Sequence, residues 1–109
     1  MTTILWFDCE TYSECDLRKA GTHAYAAHPS TEITVAQWAV ADGEPVVLDC
    51  TAFPDVSETN PLWPLFSLLE DPNIIIVAHN SMFDRTVLRH CWGVDVPVER
   101  WRDTMVKAL

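Results

Sequence analysis

Two short runs, residues 4–7 and 74–77, are apolar throughout, and polar residues follow each at once. Apolar runs of this length predict strands buried on both faces, as at the centre of a layered sheet. Between them, residues 33–40 are rich in β-branched and aromatic side chains. Asp42-Gly43 then marks a tight turn, and residues 46–48 predict the return strand of a hairpin. Residues 16–27 place Leu17, Ala20, Ala24 and Ala27 around Gly21, the pattern of a broken helical segment that Pro29 and Ser30 punctuate. After a loop over 51–61, Asn60-Pro61 reads as an N-cap followed by proline at the first helical position, opening a helix through Leu69. Asp71-Pro72-Asn73 stops it. Residues 82–92 have helical periodicity, with Phe83, Val87 and Leu88 on one stripe, Arg85 and Arg89 on another side, and Gly93 as the stop. Past Pro97, Asp103-Thr104 reads as the cap of a last helix running into Leu109, and the chain ends within that pattern as if cut. The order β, irregular, β-β, α, β, α predicts an α/β layered sheet.

Composition narrows the functional classes. The 109 residues are 49% apolar with five Trp and four Phe, enough for one domain with a packed core and against intrinsic disorder. Sixteen acidic residues against seven basic give a net charge of −9, which excludes a simple basic clamp on nucleic acid. A nuclease whose carboxylates hold metal ions is still open. The charge is also uneven: residues 1–79 hold 12 acids and 2 bases, residues 80–109 hold 4 and 5, so phosphate-facing cations must come mostly from the last third. No run reaches the ~18–20 apolar residues of a membrane span, and the first residues lack the basic leader of a signal peptide. Cys9, Cys15, Cys50 and Cys91 show no paired spacing and read as reduced thiols of an intracellular protein; Cys15, His23 and His28 match no standard zinc spacing.

The chemistry gathers at two strand ends. Asp8 and Glu10 close the first apolar run, and if its strand continues through residue 10 both carboxylates share a face. Ligand sites of open α/β sheets lie beyond the carboxyl ends of strands. Two close carboxylates require a proton, a cation or solvent between them, and a hard divalent cation meets that demand. Asn80 and Asp84 follow the second apolar run, at the start of its helix. Their ordinary structural roles are N-cap and first-turn acid. Convergent acids from two strand ends also suit two-metal phosphodiester chemistry.

Phe7-Asp8-Cys9-Glu10-Thr11 resembles the first motif, D-x-E, of the DEDD 3′–5′ exonuclease superfamily. Ala78-His79-Asn80-Ser81-Met82-Phe83-Asp84 resembles the second, with Asn and Phe three apart and Asp next. D-x-E by itself is a weak signal. D-x-E-T ending a strand, with H-N-x-x-F-D roughly seventy residues later, is a specific one. The pattern is most similar to the N-terminal proofreading domains of bacteriophage family A DNA polymerases. The resemblance implies an α/β, ribonuclease H-like mixed sheet flanked by helices, with residues 1–109 as its C-terminally truncated first part. It implies two Mg²⁺ or Mn²⁺ ions: Asp8 bridging both, Glu10 on the first, and Asp84 on the second largely through water. Asn80 and Phe83 would shape the pocket for the 3′-terminal nucleotide, with the Thr11 backbone nearby. The partners implied are a single-stranded or frayed DNA 3′ end and a downstream polymerase domain, in the cytoplasm of a bacterial or phage-infected cell and away from membranes.

The third motif of the superfamily, Y-x-x-x-D or H-x-x-x-D, supplies the general base and the fourth carboxylate. Here only Tyr12 and Asp16 fit it, beside the first motif, as a chance match; the third motif is expected beyond Leu109. A different functional class remains alongside, a non-catalytic ribonuclease H-like module that binds nucleic acid or assembles a replication protein. An aspartyl phosphotransferase is disfavoured, because Glu10 stands where its D-x-D-x-T motif needs Asp. His79 reads as a positioning hydrogen-bonder, and Trp38, Trp63, Trp92 and Trp101 as core or interface.

Overall fold

The computed structural model describes residues 2–52 and 61–104. Its strands are β1 (Thr3–Tyr12), β2 (Glu32–Val40), β3 (Val46–Asp49), β4 (Ile74–Ala78) and β5 (Trp101–Asp103). They form one mixed sheet in the order β3-β2-β1-β4-β5. The β1–β2 and β2–β3 pairs are antiparallel, whereas β1–β4 and β4–β5 are parallel. The two apolar runs are therefore neighbours, with Leu5 opposite Ile76 and Trp6 opposite Val77. The α/β mixed sheet matches the expected fold class.

Helices α1 (Leu17–Ala20), α2 (Thr22–Ala27), α3 (Trp63–Glu70) and α4 (Ser81–Val87) supply the second layer, and α4 continues as a wider π-type turn over Leu88–Trp92. The expected break between α1 and α2 falls at Gly21, whose φ of 84° lies where a side chain would be strained. Gly93, at φ 68°, ends the π-type turn as the sequence predicts. One boundary differs from expectation. The α3 helix starts at Trp63, with Pro64 in its first turn; Asn60, the expected cap, lies outside the described residues. The expected tight turn at Asp42-Gly43 is present, with the Gly43 N–H donating to the Val40 carbonyl at 2.8 Å and Ala41 left-handed at φ 53°.

The strands are not buried on both faces. Along β1 the inward positions Leu5 and Phe7 are 0% and 4% exposed, while Ile4 and Trp6 on the other face are 37% and 46% exposed. The core joins Leu5, Phe7 and Cys9 to Ala36 and Trp38 of β2, Ile74 and Ile76 of β4, Leu65, Phe66 and Leu69 of α3, and Val87 and Leu88. Burying each of the larger side chains contributes about 1.5–3 kcal/mol. Such a strand reads as apolar on both faces because its outward face is apolar too.

Arg100 ties this core to β5. Its guanidinium is buried and donates to the carbonyls of Ile74 (3.0 Å), Leu69 (2.5 Å) and Leu68 (3.2 Å), closing the C-terminal end of α3. Burial pulls its pKa down and Asp71 opposes that shift. Arg102 likewise donates to the carbonyls of Glu99 and Trp101. Two of the cations expected to face phosphate thus serve the backbone.

Candidate active site

The β1 strand runs past Phe7 to Tyr12 and carries Asp8 and Glu10 within it. Alternation places both on the outward face, and both are exposed. Asp8 pairs in register with Gln37 and Glu10 with Val35. A bulge follows between Glu10 and Thr11, leaving Thr34 of β2 as the extra residue, and its hydroxyl donates to the Glu10 carbonyl at 3.2 Å. Asp8 also lines an open groove of about 400 Å³ with Trp6, Gln37, Ala39, Val77 and His79.

Asp84 has the opposite environment. It lies in the first turns of α4 and is 3% exposed. Burial pushes its carboxyl up to about 7, and the charges of Asp8 and Asp103 push the same way. The Cys9 thiol opposes them, donating to Asp84 Oδ1 at 3.1 Å, and the Cys9 backbone amide favours the same ionised form. Burial and the Asp84 charge in turn drive the Cys9 pKa far upward, so this sulfur stays a thiol.

Asn80 occupies the cap position of α4 but makes no capping bond with its side chain. The cap comes instead from β5, where Asp103 Oδ2 accepts from the Ser81 backbone N–H (2.8 Å) and hydroxyl (2.9 Å). Thr104, directly after Asp103, is helical, and the rest of the expected last helix lies outside the described residues. His79 Nδ1 lies 3.2 Å from Thr104 Oγ1, in line with a positioning role. Thr11 and Phe83 meet through a residue that the sequence reading overlooked: Tyr25 of α2 shares a hydrogen bond with Thr11 Oγ1 (2.8 Å), and its ring lies 6.0 Å from that of Phe83.

Asp8 on β1 and Asp103 on β5, the strands that flank β4, are thus the charges that push the Asp84 carboxyl up. Glu10 shares the face of Asp8 but is not among the charges that perturb Asp84. As a donor set, carboxylates that raise one another's protonation fit a hard divalent cation in kind. In arrangement, no group of three His, Cys, Asp or Glu side chains among the described residues is placed to hold one. The Tyr12–Asp16 match to the third motif dissolves: Tyr12 is exposed, and Asp16 caps α1 by accepting from the Arg18 N–H at 3.0 Å. Among the described residues no helix is long and apolar enough to cross a membrane.

A family model described as 3′–5′ exonuclease matches residues 20–109. The chain belongs to that family. The match contains Asp84 and begins after Asp8 and Glu10. A DNA polymerase of Bacillus phage SP02 is 32% identical over 104 residues, 95% of this chain and 15% of that polymerase. Brucella melitensis NrnC bound to pGG shares the fold at a TM-score of 0.62 and 24% identity, over 96% of this chain and 42% of that one. The EXD2 exonuclease domain soaked in Mn and Mg does so at a TM-score of 0.62 and 21% identity, over 96% and 44%. The chain spans 15% of the phage polymerase and less than half of each of these two structures.

Proposed function

We propose that residues 1–109 form the N-terminal part of a metal-dependent 3′–5′ exonuclease domain that proofreads for a DNA polymerase. The observation that carries this reading is that Asp8 on β1 and Asp84 on α4, directly after β4, come from two adjacent parallel strands, with the charge of Asp8 pushing the Asp84 carboxyl up. The phage polymerase relative supports the polymerase setting and a downstream polymerase domain. The metal-soaked and pGG-bound relatives support divalent ions and a nucleic-acid substrate.

In this reading Asp8, Glu10 and Asp84 hold two Mg²⁺ or Mn²⁺ ions. Such ions lower the pKa of bound water and offset charge on the transferring phosphate. The chain's own residues do the rest. Asn80, relieved of capping by Asp103, keeps its amide free for the 3′-terminal nucleotide. Phe83, backed by the Tyr25 ring, offers that nucleotide an apolar wall, and the Thr11 hydroxyl is held by Tyr25 so that the adjoining backbone keeps its place. The terminal nucleotide has to be single-stranded or frayed, since the scissile phosphate must be separated from its duplex.

Calorimetric titration of Mn²⁺ into the wild-type chain and into Asp8→Ala tests the reading. We expect a dissociation constant on the order of millimolar, typical of open carboxylate sites, and a loss of that binding in the variant. Equal binding by both proteins would place the ions elsewhere and leave a non-catalytic binding module as the better account.

A further inference from the structure

We propose that Cys9 is a positioning residue, whose thiol fixes the carboxylate of Asp84 in the orientation needed to hold a divalent cation. The inference rests on the reading of Asp84 as a metal ligand and adds a residue to that site. Its basis is the geometry of one tripeptide. Along β1, Asp8 and Glu10 turn outward, and the residue between them turns inward. The preceding inward positions, Leu5 and Phe7, carry no donor, and they pack as core. At Cys9 the same row ends in a side chain that packs like an apolar residue and still donates a hydrogen bond.

The acceptor is Asp84 Oδ1 at 3.1 Å, short for a sulfur donor. Both partners are buried, Cys9 at 8% and Asp84 at 3% exposed. A buried carboxylate needs donors, and a residue on a different element restrains its rotation more firmly than one on its own helix. Here the restraint comes from the strand that bears Asp8, so the two carboxylates are held by one rigid element. The Cys9 backbone amide bonds the same carboxylate, so the thiol acts beside a second donor of its own residue. Outer hydrogen-bond partners of this kind change metal affinity about 10-fold or more when removed.

The test compares the 109-residue wild type with Cys9→Val, Cys9→Ser and Asp84→Asn, using Mn²⁺ alone and reading free Mn²⁺ by electron paramagnetic resonance, with thermal unfolding in parallel. Packing and positioning rank the two Cys9 variants oppositely. A packing role makes Val as good as Cys and Ser worse. Positioning keeps Ser within a few-fold of wild type in Mn²⁺ affinity, because a hydroxyl still donates, and lowers Val about 10-fold. The metal-free S–H infrared stretch gives a second readout. Cys9→Val should remove a band at lower frequency than those of Cys50 and Cys91, whose sulfurs lie 3.7 Å from carbonyl oxygens. Mn²⁺ binding by Cys9→Val equal to wild type, with binding lost in Asp84→Asn, would overturn the positioning role and leave the Asp84 reading standing. Wild-type binding by Asp84→Asn, or no binding by the wild type, would remove the Asp84 reading and this inference together.

Discussion

The two faces of β1 come from one unbroken stretch of sequence, yet they meet different surroundings. Leu5, Phe7 and Cys9 enter a core closed by α3, α4 and the neighbouring strands, while Ile4 and Trp6 stay half open and Asp8 and Glu10 stand in solvent. The comparison extends to the acids of the candidate site. Asp8 carries its charge on the hydrated face, where solvent screens it. Asp84 is bonded to the inward-facing Cys9 and buried, and there the same charge lacks water. The two carboxylates thus have unlike environments, and the buried one has a protein donor in the Cys9 thiol.

The largest expected effect separates the two faces directly. Phe7→Ala should destabilise the chain by about 3–5 kcal/mol, because it empties a position that is 4% exposed. Trp6→Ala, one residue earlier and 46% exposed, should cost about 1 kcal/mol or less, including its indole N–H bond to the Ala41 carbonyl. Urea unfolding of the two variants measures the contrast. Equal losses would mean that the outward face is as tightly covered as the core.

The buried carboxyl should also make stability depend on pH. Unfolded, Asp84 titrates near 3.8; folded, it is pushed up to about 7. Between those values the unfolded chain has released the proton and the folded chain still holds it. Stability should therefore fall as pH rises from about 4 to about 7, by an amount on the order of 4 kcal/mol, with nothing further lost above that range from this group. Unfolding at pH 5 and pH 8 in the presence of a chelator should show the decline in wild type and not in Asp84→Asn. Asp8→Asn should reduce the decline only partly, since burial rather than the Asp8 charge is the main cause of the shift. An equal effect of both substitutions would erase the distinction between the two carboxylates.

The order of the elements was legible because each long element has a clear period. The two apolar runs, the β2–β3 hairpin and the Phe83–Val87–Leu88 stripe each give one reading. The face of each strand was not legible, since Ile4 and Trp6 are as apolar as the residues behind them and periodicity gives no contrast. The β5 strand escaped notice because three residues, Trp101–Asp103, carry no period at all. The same gap hid the contact of Asp103 with Ser81, which lies 22 residues away and is brought near by parallel pairing. Tyr25 was missed for a similar reason: its hydroxyl serves Thr11, on another element, and nothing local marks it. Asp8, Glu10, Asn80 and Asp84 stood out because charged or polar side chains close after an apolar run are unusual, and that is a local signal.

The smallest effect, and the sharpest on the origin of the Asp84 environment, concerns Asp103. This side chain does two opposing things. It caps α4 through the Ser81 N–H and hydroxyl, and its charge is one of the two that push the Asp84 carboxyl upward. Asp103→Ala removes both. Loss of the cap costs about 1 kcal/mol at any pH where the helix is folded. Loss of the charge lowers the folded pKa of Asp84 and so returns part of that stability, but only at pH values where Asp84 has ionised. The net destabilisation should therefore be about 1 kcal/mol at pH 5 and smaller at pH 8. Asp103→Asn divides the two contributions, because its amide oxygen still accepts from Ser81 while its charge is gone. It should be near neutral at pH 5 and slightly stabilising at pH 8, measured by the same urea unfolding. Equal losses for Asp103→Ala at both pH values, with no gain for Asp103→Asn, would show that Asp103 acts on α4 alone. The raised pKa of Asp84 would then be due to burial and Asp8.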